Sequence, residues 1–325
     1  MKHYRHFEDA ATVHALVEEI QGRHGCSYEQ LAERLIVQLR DYFDGSHYAG
    51  GQPSRFQNVG SGQVRQRYLV ALSGGIDSTV VTYLAVRAVG RESVLPITMP
   101  ARPDDESVGL AALVRYDLGF SEPGAPYIID IEPIVQQHMH AMSTLSEPQL
   151  HLGREHASQA LEQKMRSGNF GSRVRVAVLS DLQRAIRGRI LGTVNRTEYC
   201  QGYGTKFGTP ISYDFGVLNE LYKVDINELA RVLAVPEAVR DALPSTGYFA
   251  GQTHEGELGA SIEEQDIFAY LLFEKNMAPE EIAATYGASA EFARVIQYRF
   301  DVSEHKRLLN GLQPQVRLAS TPLRL

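Results

Sequence analysis

The residues best suited to chemistry lie in LVALSGGIDSTVVTYL, positions 69 to 84. An apolar run ends, Ser73-Gly74-Gly75 turns, and Ile76-Asp77-Ser78 lead into a helical pattern expected from about Ser78 to Val89. Glycines let a backbone approach an anion closely, while free amides and the positive end of a helix hold it. The lysine of a Walker A loop is missing, and the pattern is not GxGxxG, so hydride chemistry loses its main support. Asp77 would repel a phosphate unless a cation bridged them, and Mg²⁺ between Asp77 and a pyrophosphate meets that need. A ligand-free strand–turn–helix corner would not require this run of residues.

Elements that can position such a loop surround it. Tyr68–Leu72 and Val94–Met99 read as strands, Tyr127–Ile131 as a third and Ile190–Leu191 as the centre of a fourth. With Glu106–Leu118 as a helix, strands alternate with helices, which implies an α/β fold with a parallel sheet covered on both faces. Positions 7–44 read as two helices, the second opening near Ser27, and helical periodicity returns over 263–300. Positions 45–63 are rich in Gly, Ser and Asn and read as a connector. Gly202–Tyr213 and Leu243–Ser261 are long enough to be functional loops. The division expected is a helical extension and linker over 1–63 and the main domain over 64–325.

Composition narrows the class. The 325 residues are 43% hydrophobic and 22% charged, enough for a sizeable core. A net charge of −7 disfavours nucleic acid as the main partner, because duplex affinity comes largely from neutralising phosphates. No apolar run is long enough to span a membrane, and the N-terminus lacks the apolar stretch of a signal peptide. Cys26 and Cys200 cannot build a disulfide framework or a cysteine-rich zinc site. A soluble cytoplasmic enzyme is expected.

The SGGIDS loop resembles that of the N-type ATP pyrophosphatases, which adenylate a substrate and release pyrophosphate. Five further stretches are similar to NAD synthetases within that superfamily: GNFGSRVR from Gly168, LGTVNRTE from Leu191, GYGTKFG from Gly202, LYK from Leu221, and GQT with ELG between Gly251 and Gly259. Ser303-Glu304-His305-Lys306-Arg307 resembles a sixth, near the C-terminus. Together the matches cover roughly positions 65–310 in the family's order. The resemblance implies a doubly wound parallel sheet of the adenine nucleotide alpha hydrolase-like kind, with extra helices at both ends. It also implies a ligase that adenylates the carboxylate of deamido-NAD with ATP and aminates it with ammonia, giving NAD, AMP and pyrophosphate. A homodimer is implied as well.

The same resemblance assigns roles to residues. Asp77 and Glu198 would bind Mg²⁺ beside the pyrophosphate. Ser73, Gly74, Gly75, Ile76, Asp77, Ser78, Thr193, Lys223 and Ser245 would hold ATP. Arg173, Lys206, Asp214, His305 and Lys306 would serve the dinucleotide, and Asp77 and Lys206 would stand nearest the chemistry. The family's DGGAD is replaced by Thr209-Pro210-Ile211-Ser212-Tyr213-Asp214, so Thr209 stands where the first acid would meet ammonia. Asp214 matches the last acid if the extra residue is placed before it. Thr98 stands where several members have an arginine contacting the nucleotide. These departures gather at the acceptor end and leave open a paralogue that adenylates another carboxylate or uses another nucleophile. A regulatory nucleotide-binding protein would have no need of both Asp77 and Glu198. The chain has no room for a fused glutaminase, so free ammonia or a separate glutaminase is expected as the source.

Overall fold

A computed structural model describes residues 5–45, 67–102, 107–120, 127–143, 156–209, 211–242 and 254–307. The expected connector at 45–63, apart from Gly45, and the segment with Ser245, Gly251, Gln252 and Thr253 lie outside the described residues.

Four parallel strands form the sheet: β1 (Arg67–Ala71), β2 (Val94–Ile97), β3 (Gly188–Gly192) and β4 (Phe215–Gly216), in the order β2-β1-β3-β4. On the far side of β2, an isolated parallel bridge joins Thr98 to Ile128. The third strand expected at Tyr127–Ile131 is therefore reduced to this bridge, with Ile129 N–H donating to the Thr98 carbonyl at 2.9 Å. β1 is central and buried on both faces, as parallel strands require. Tyr68 and Val70 enter one apolar cluster and Leu69 enters another.

Helices cover both faces. On the Tyr68 face lies α2 (Tyr28–Asp44), which packs on α3 (Ile76–Val89), while α1 (Ala10–Gly22) packs chiefly against C-terminal helices. Ser27 opens α2 with a full capping box to Gln30, which satisfies two otherwise orphaned amides. Its buried stripe of Leu31, Leu35, Ile36 and Leu39 joins the core, where each such side chain contributes about 1.5–3 kcal/mol. The Tyr68 hydroxyl, within that core, donates to the Leu39 carbonyl at 2.5 Å. On the opposite face, α5 (Glu132–Met142) and α6 (His156–Ile186) pack together through Val135, and Val174 and Leu179 of α6 meet Leu69 and Ile190. α4 (Ser107–Asp117) lies beside the turn after β1. After β3 come α7 (Arg196–Gln201), β4 and α8 (Lys223–Val232), followed by α9 (Glu237–Arg240) and α10 (His254–Leu258). A second core holds α11 (Ile262–Phe273), α12 (Pro279–Tyr286) and α13 (Ala290–Val302), and α14 (Glu304–Arg307) closes the described chain. No described helix is long and apolar enough to cross a membrane.

One buried carboxylate ties the N-terminal helices to this frame. Asp225, in the first turn of α8, is fully buried and accepts from Arg23 Nη1 at 2.7 Å, Tyr28 Oη at 2.9 Å and Tyr222 N at 2.9 Å. Its pKa is lowered: burial opposes the shift but is outweighed by the bonds from His24 and Arg23. A carboxyl depressed in the folded state contributes stability that is present above the ordinary aspartate range and lost as pH falls through the folded value. Asp225→Asn should therefore lose about 3 kcal/mol at neutral pH and approach wild type in strong acid, as urea melts across pH will measure.

Candidate functional site

The sheet order places the site. From β1 the chain moves outward to β2, then returns across β1 to β3, so the direction of winding reverses between β1 and β3. Beyond the carboxyl ends of strands at such a reversal a crevice opens where ligands bind. Ser73 follows β1 into this crevice and Thr193 follows β3.

The turn after β1 is tightly built. Gly74 has φ +89°, and a side chain there would meet the Ser107 carbonyl and lie 3.0 Å from Ala111 N, so glycine is required for both conformation and space. Ser78 Oγ donates to the Gly75 carbonyl at 3.0 Å and accepts from Ser73 N at 3.2 Å, closing the loop on itself. The helix begins at Ile76, two residues earlier than the sequence suggested, and Gly75 caps it without any side-chain bond. Its first amides thus remain available to an anion.

Asp77 stands in the first turn of α3 and meets residues from two distant segments. Asn195 Nδ2 donates to Asp77 Oδ1 at 3.0 Å, and the Lys223 ammonium donates to Asp77 Oδ2. Asn195 is also the N-cap of α7: its Oδ1 accepts from Glu198 N at 2.9 Å, while its own N–H donates to Glu198 Oε2 at 3.2 Å. Glu198 is raised to about 8, first by burial and then by the nearby Asp77 carboxylate, with Lys223 and the Asn195 N–H opposing. Two acidic side chains therefore converge on one buried ammonium, that of Lys223, which is 4% exposed. A cation is what this corner attracts. Hard carboxylate oxygens suit Mg²⁺, which is usually held by one or two carboxylates together with substrate phosphates. Asp77 and Glu198 thus fit that ion.

A second group gathers on the loop after α7. Arg173, exposed on α6, donates from Nε to the Lys206 carbonyl at 3.2 Å. Thr205 Oγ1 donates to Asn169 Oδ1 at 2.6 Å, and Ser172 Oγ donates to the Thr209 carbonyl at 2.7 Å. The GNFGSRVR and GYGTKFG stretches are thereby one interlocked unit. Tyr203 Oη donates to Glu257 of the ELG stretch. Gly202 has φ +60°, with its hydrogen facing the Ser303 side chain so closely that no Cβ fits between them. That approach brings the C-terminal segment in, and Lys306 Nζ donates to the Gly202 carbonyl at 2.7 Å. Burial lowers the Lys306 pKa. His305, its neighbour in the same turn, is exposed.

Asp214 lies elsewhere. Its carboxylate accepts from Ile190 N at 2.8 Å and from the Gln183 amide, beside the middle of β3 rather than at its carboxyl end. Arg115, buried on α4, donates from Nη1 to Thr98 Oγ1, which donates to the Leu72 carbonyl at 2.9 Å. A guanidinium from α4 thus reaches position 98, beyond the end of β2. Asn195 and Arg115 were not singled out by sequence reasoning. The capping sequence Asn195-Arg196-Thr197-Glu198 would have signalled the first, whereas nothing local signals the second.

Several known proteins are similar to this chain. A family model described as NAD synthase matches residues 57–310. The NH(3)-dependent NAD(+) synthetase of Pyrococcus furiosus is 34% identical over 245 residues, covering 75% of this chain and 87% of that protein. Its counterpart from Hyperthermus butylicus is 36% identical over 250 residues, covering 74% and 80%. Among solved structures, an NMN synthetase from Francisella tularensis matches with a TM-score of 0.66 at 24% identity, covering 90% of this chain and all of that one. An NH3-dependent NAD synthetase from Campylobacter jejuni matches with 0.60 at 20% identity, covering 90% and 99%. At these identities the solved structures speak for the fold.

Proposed function

The chain belongs to the NAD synthase family, and from that premise we propose that it is an ATP-dependent carbon–nitrogen ligase that converts deamido-NAD and ammonia to NAD. A carboxylate is a poor electrophile, so amide formation needs activation. One oxygen of the nicotinate carboxylate attacks the α-phosphorus of ATP, the bond to the β-phosphate oxygen breaks, and pyrophosphate leaves. The nitrogen lone pair of ammonia then attacks the acyl carbon, the bond to the AMP oxygen breaks, and the nitrogen sheds a proton. Most of the acceleration in such a sequence comes from holding reactants in line and stabilising charge on the phosphates.

The observation that carries this reading is the convergence of Asp77, Glu198 and Lys223 beside the Ser73–Ser78 loop. Magnesium held by Asp77 and Glu198 would neutralise charge on the triphosphate and polarise the α-phosphorus. Lys223 supplies a second positive charge for the phosphates, and the free amides at the start of α3 cradle pyrophosphate. Thr193 and Ser245 complete the nucleotide site in this proposal. Arg173, Lys206, His305 and Lys306 serve the acceptor, with Lys206 near the reacting carboxylate. Asp214 would join them only by leaving its bonds to Ile190 and Gln183.

Ammonia arrives free or from a separate glutaminase, and the site lies in the cytoplasm. A homodimer forms part of the same proposal. Val295, Tyr298 and Val302 present an exposed apolar stripe along α13, at the three- and four-residue spacing of one helix face.

The test is turnover of deamido-NAD with ATP and ammonium, with AMP, pyrophosphate and NAD quantified. Stoichiometric AMP and NAD are expected, and glutamine should not replace ammonium. Nicotinate mononucleotide is included as a competing acceptor. Turnover of that acid alone would reassign the acceptor, and the absence of pyrophosphate with either would reject the ligase reading.

A further inference from the structure

Helix α11 carries three consecutive buried polar residues, Glu264, Gln265 and Asp266, in a segment otherwise made of core side chains. Burying a polar group is costly unless its bonds are met, so such a run calls for partners. Glu264 caps its own helix through Ser261 and accepts from His6 N at 2.7 Å. The other two reach the site-bearing elements.

Asp266 is fully buried and bonded to the first turns of two different helices. Its Oδ1 accepts from Thr197 Oγ1 of α7, and its Oδ2 accepts from Val224 N of α8 at 2.9 Å. Thr197 Oγ1 in turn accepts from Lys223 N at 3.1 Å, closing a triangle among α7, α8 and α11. One backbone amide at the start of α8 and one hydroxyl at the start of α7 thus satisfy the two oxygens of this carboxyl group. Burial raises its pKa to about 7, while the bonds from Thr197 and Val224 pull the other way. Gln265 holds the remaining end of α7: Gln201 Nε2 donates to Gln265 Oε1 at 2.7 Å, and Gln201 Oε1 accepts from Arg299 Nη1 at 3.0 Å. The short α7 is therefore pinned at both ends to α11.

The consequence for the site lies one residue away on each side. Glu198 follows Thr197, and Lys223 precedes Val224. We infer that Asp266, through Thr197, is the positioning residue that fixes the Glu198 carboxylate and the Lys223 ammonium relative to each other and to Asp77. This assignment rests on the magnesium–nucleotide reading of that cluster. Asp266 itself touches none of the three functional groups. It sets the separation of their two helix starts, which strand pairing alone does not control, because β4 between them is only two residues long.

Substitutions at two positions test it. Asp266→Asn keeps an acceptor for Val224 N, and Thr197→Ser keeps the hydroxyl relay, whereas Thr197→Val removes it. Binding of Mg²⁺ with the non-cleavable analogue α,β-methylene-ATP is measured by calorimetry, alongside steady-state kinetics and thermal unfolding. Loss of an orienting partner behind a metal ligand costs about 10–100-fold in metal affinity or activity. Asp266→Asn and Thr197→Val should each weaken metal–nucleotide binding and lower kcat within that range, leaving KM for ammonium unchanged. Thr197→Ser should restore both, and the double variant should be no worse than either single one, because both act along one path. Lowered unfolding temperature with unaltered metal–nucleotide affinity in the folded variants would overturn the assignment. Should Asp266→Asn fail to fold, Thr197→Val against Thr197→Ser decides the matter alone. Wild-type protein that bound no metal–nucleotide at all would overturn the functional reading and, with it, this one; wild-type binding with unimpaired variants would overturn this one only.

Discussion

Asp77→Asn should slow pyrophosphate release from ATP by about 10³-fold while the protein stays folded, since one group that holds charge in the transition state is removed without emptying its place. Two roles meet in this side chain. It is one of the two hard oxygen ligands proposed for magnesium, and it is the partner of the buried Lys223 ammonium. Asparagine removes the negative charge but keeps the shape and an oxygen for Asn195 Nδ2. Asp77→Ala should do more damage. It leaves the Lys223 ammonium buried without its partner, and breaking such a pair costs about 3–5 kcal/mol. Because Asp77 is 19% exposed, water relieves part of that loss and the lower end of the range is expected. Pyrophosphate release and a denaturant melt on both variants separate the catalytic loss from the structural one. Equal pyrophosphate release by wild type and Asp77→Asn would remove the aspartate from the mechanism.

Lys223→Met should be nearly as damaging, about 10²–10³-fold in turnover, with an added signature in the ligand-free protein. Without the ammonium, Asp77 loses its ion-pair partner and no cation favours ionisation of Glu198 beside it, so the Glu198 carboxyl is pushed further up. The variant should unfold at lower temperature than wild type. Magnesium alone, with no nucleotide, should then raise the unfolding temperature of the variant more than that of wild type, because the metal no longer competes with a resident lysine for Asp77. The expected order of events in the native protein follows. Lys223 would release Asp77 to pair with the phosphates of an arriving nucleotide, leaving Asp77 and Glu198 to hold magnesium. Thermal melts with and without magnesium check this, and an identical magnesium response in the two proteins would refute it.

Much of this architecture could be read from local patterns, and the reasons for the exceptions are physical. The apolar run before Ser73 and the glycine turn announced β1 and α3, because a buried central strand and a phosphate loop each leave a dense local signature. α3 starts at Ile76, two residues before the expected Ser78, since Gly75 closes the turn through backbone conformation rather than through a capping side chain. β4 has no signature in the sequence, because two residues carry no periodicity. The segment at Tyr127–Ile131 has strand-like composition, yet only Ile128 pairs in a ladder with β2's extension at Thr98.

The site shows the same division. Lys223 and Asp77 are 146 residues apart in sequence, and Asp266 is 69 from Thr197 and 42 from Val224. No spacing rule joins such pairs. Resemblance to a family supplied the first. The second has no local signal, because Asp266 stands in the polar run Glu263–Asp266, which reads as exposed until packing shows the helix buried on all sides. Asp214, which the resemblance offers to the acceptor, bonds Ile190 N and the Gln183 amide beside the middle of β3, a contact that no local pattern signals.

Transfer of oxygen from acid to nucleotide measures the central claim most directly. Deamido-NAD labelled with ¹⁸O in both carboxylate oxygens is turned over with ATP and ammonium, and the AMP is analysed by mass spectrometry. Adenylation at the crevice between β1 and β3 predicts one heavy oxygen in each AMP formed and one left in the NAD amide. AMP without label, formed at the same rate as NAD, would contradict activation through the α-phosphorus and the account built on Asp77, Glu198 and Lys223.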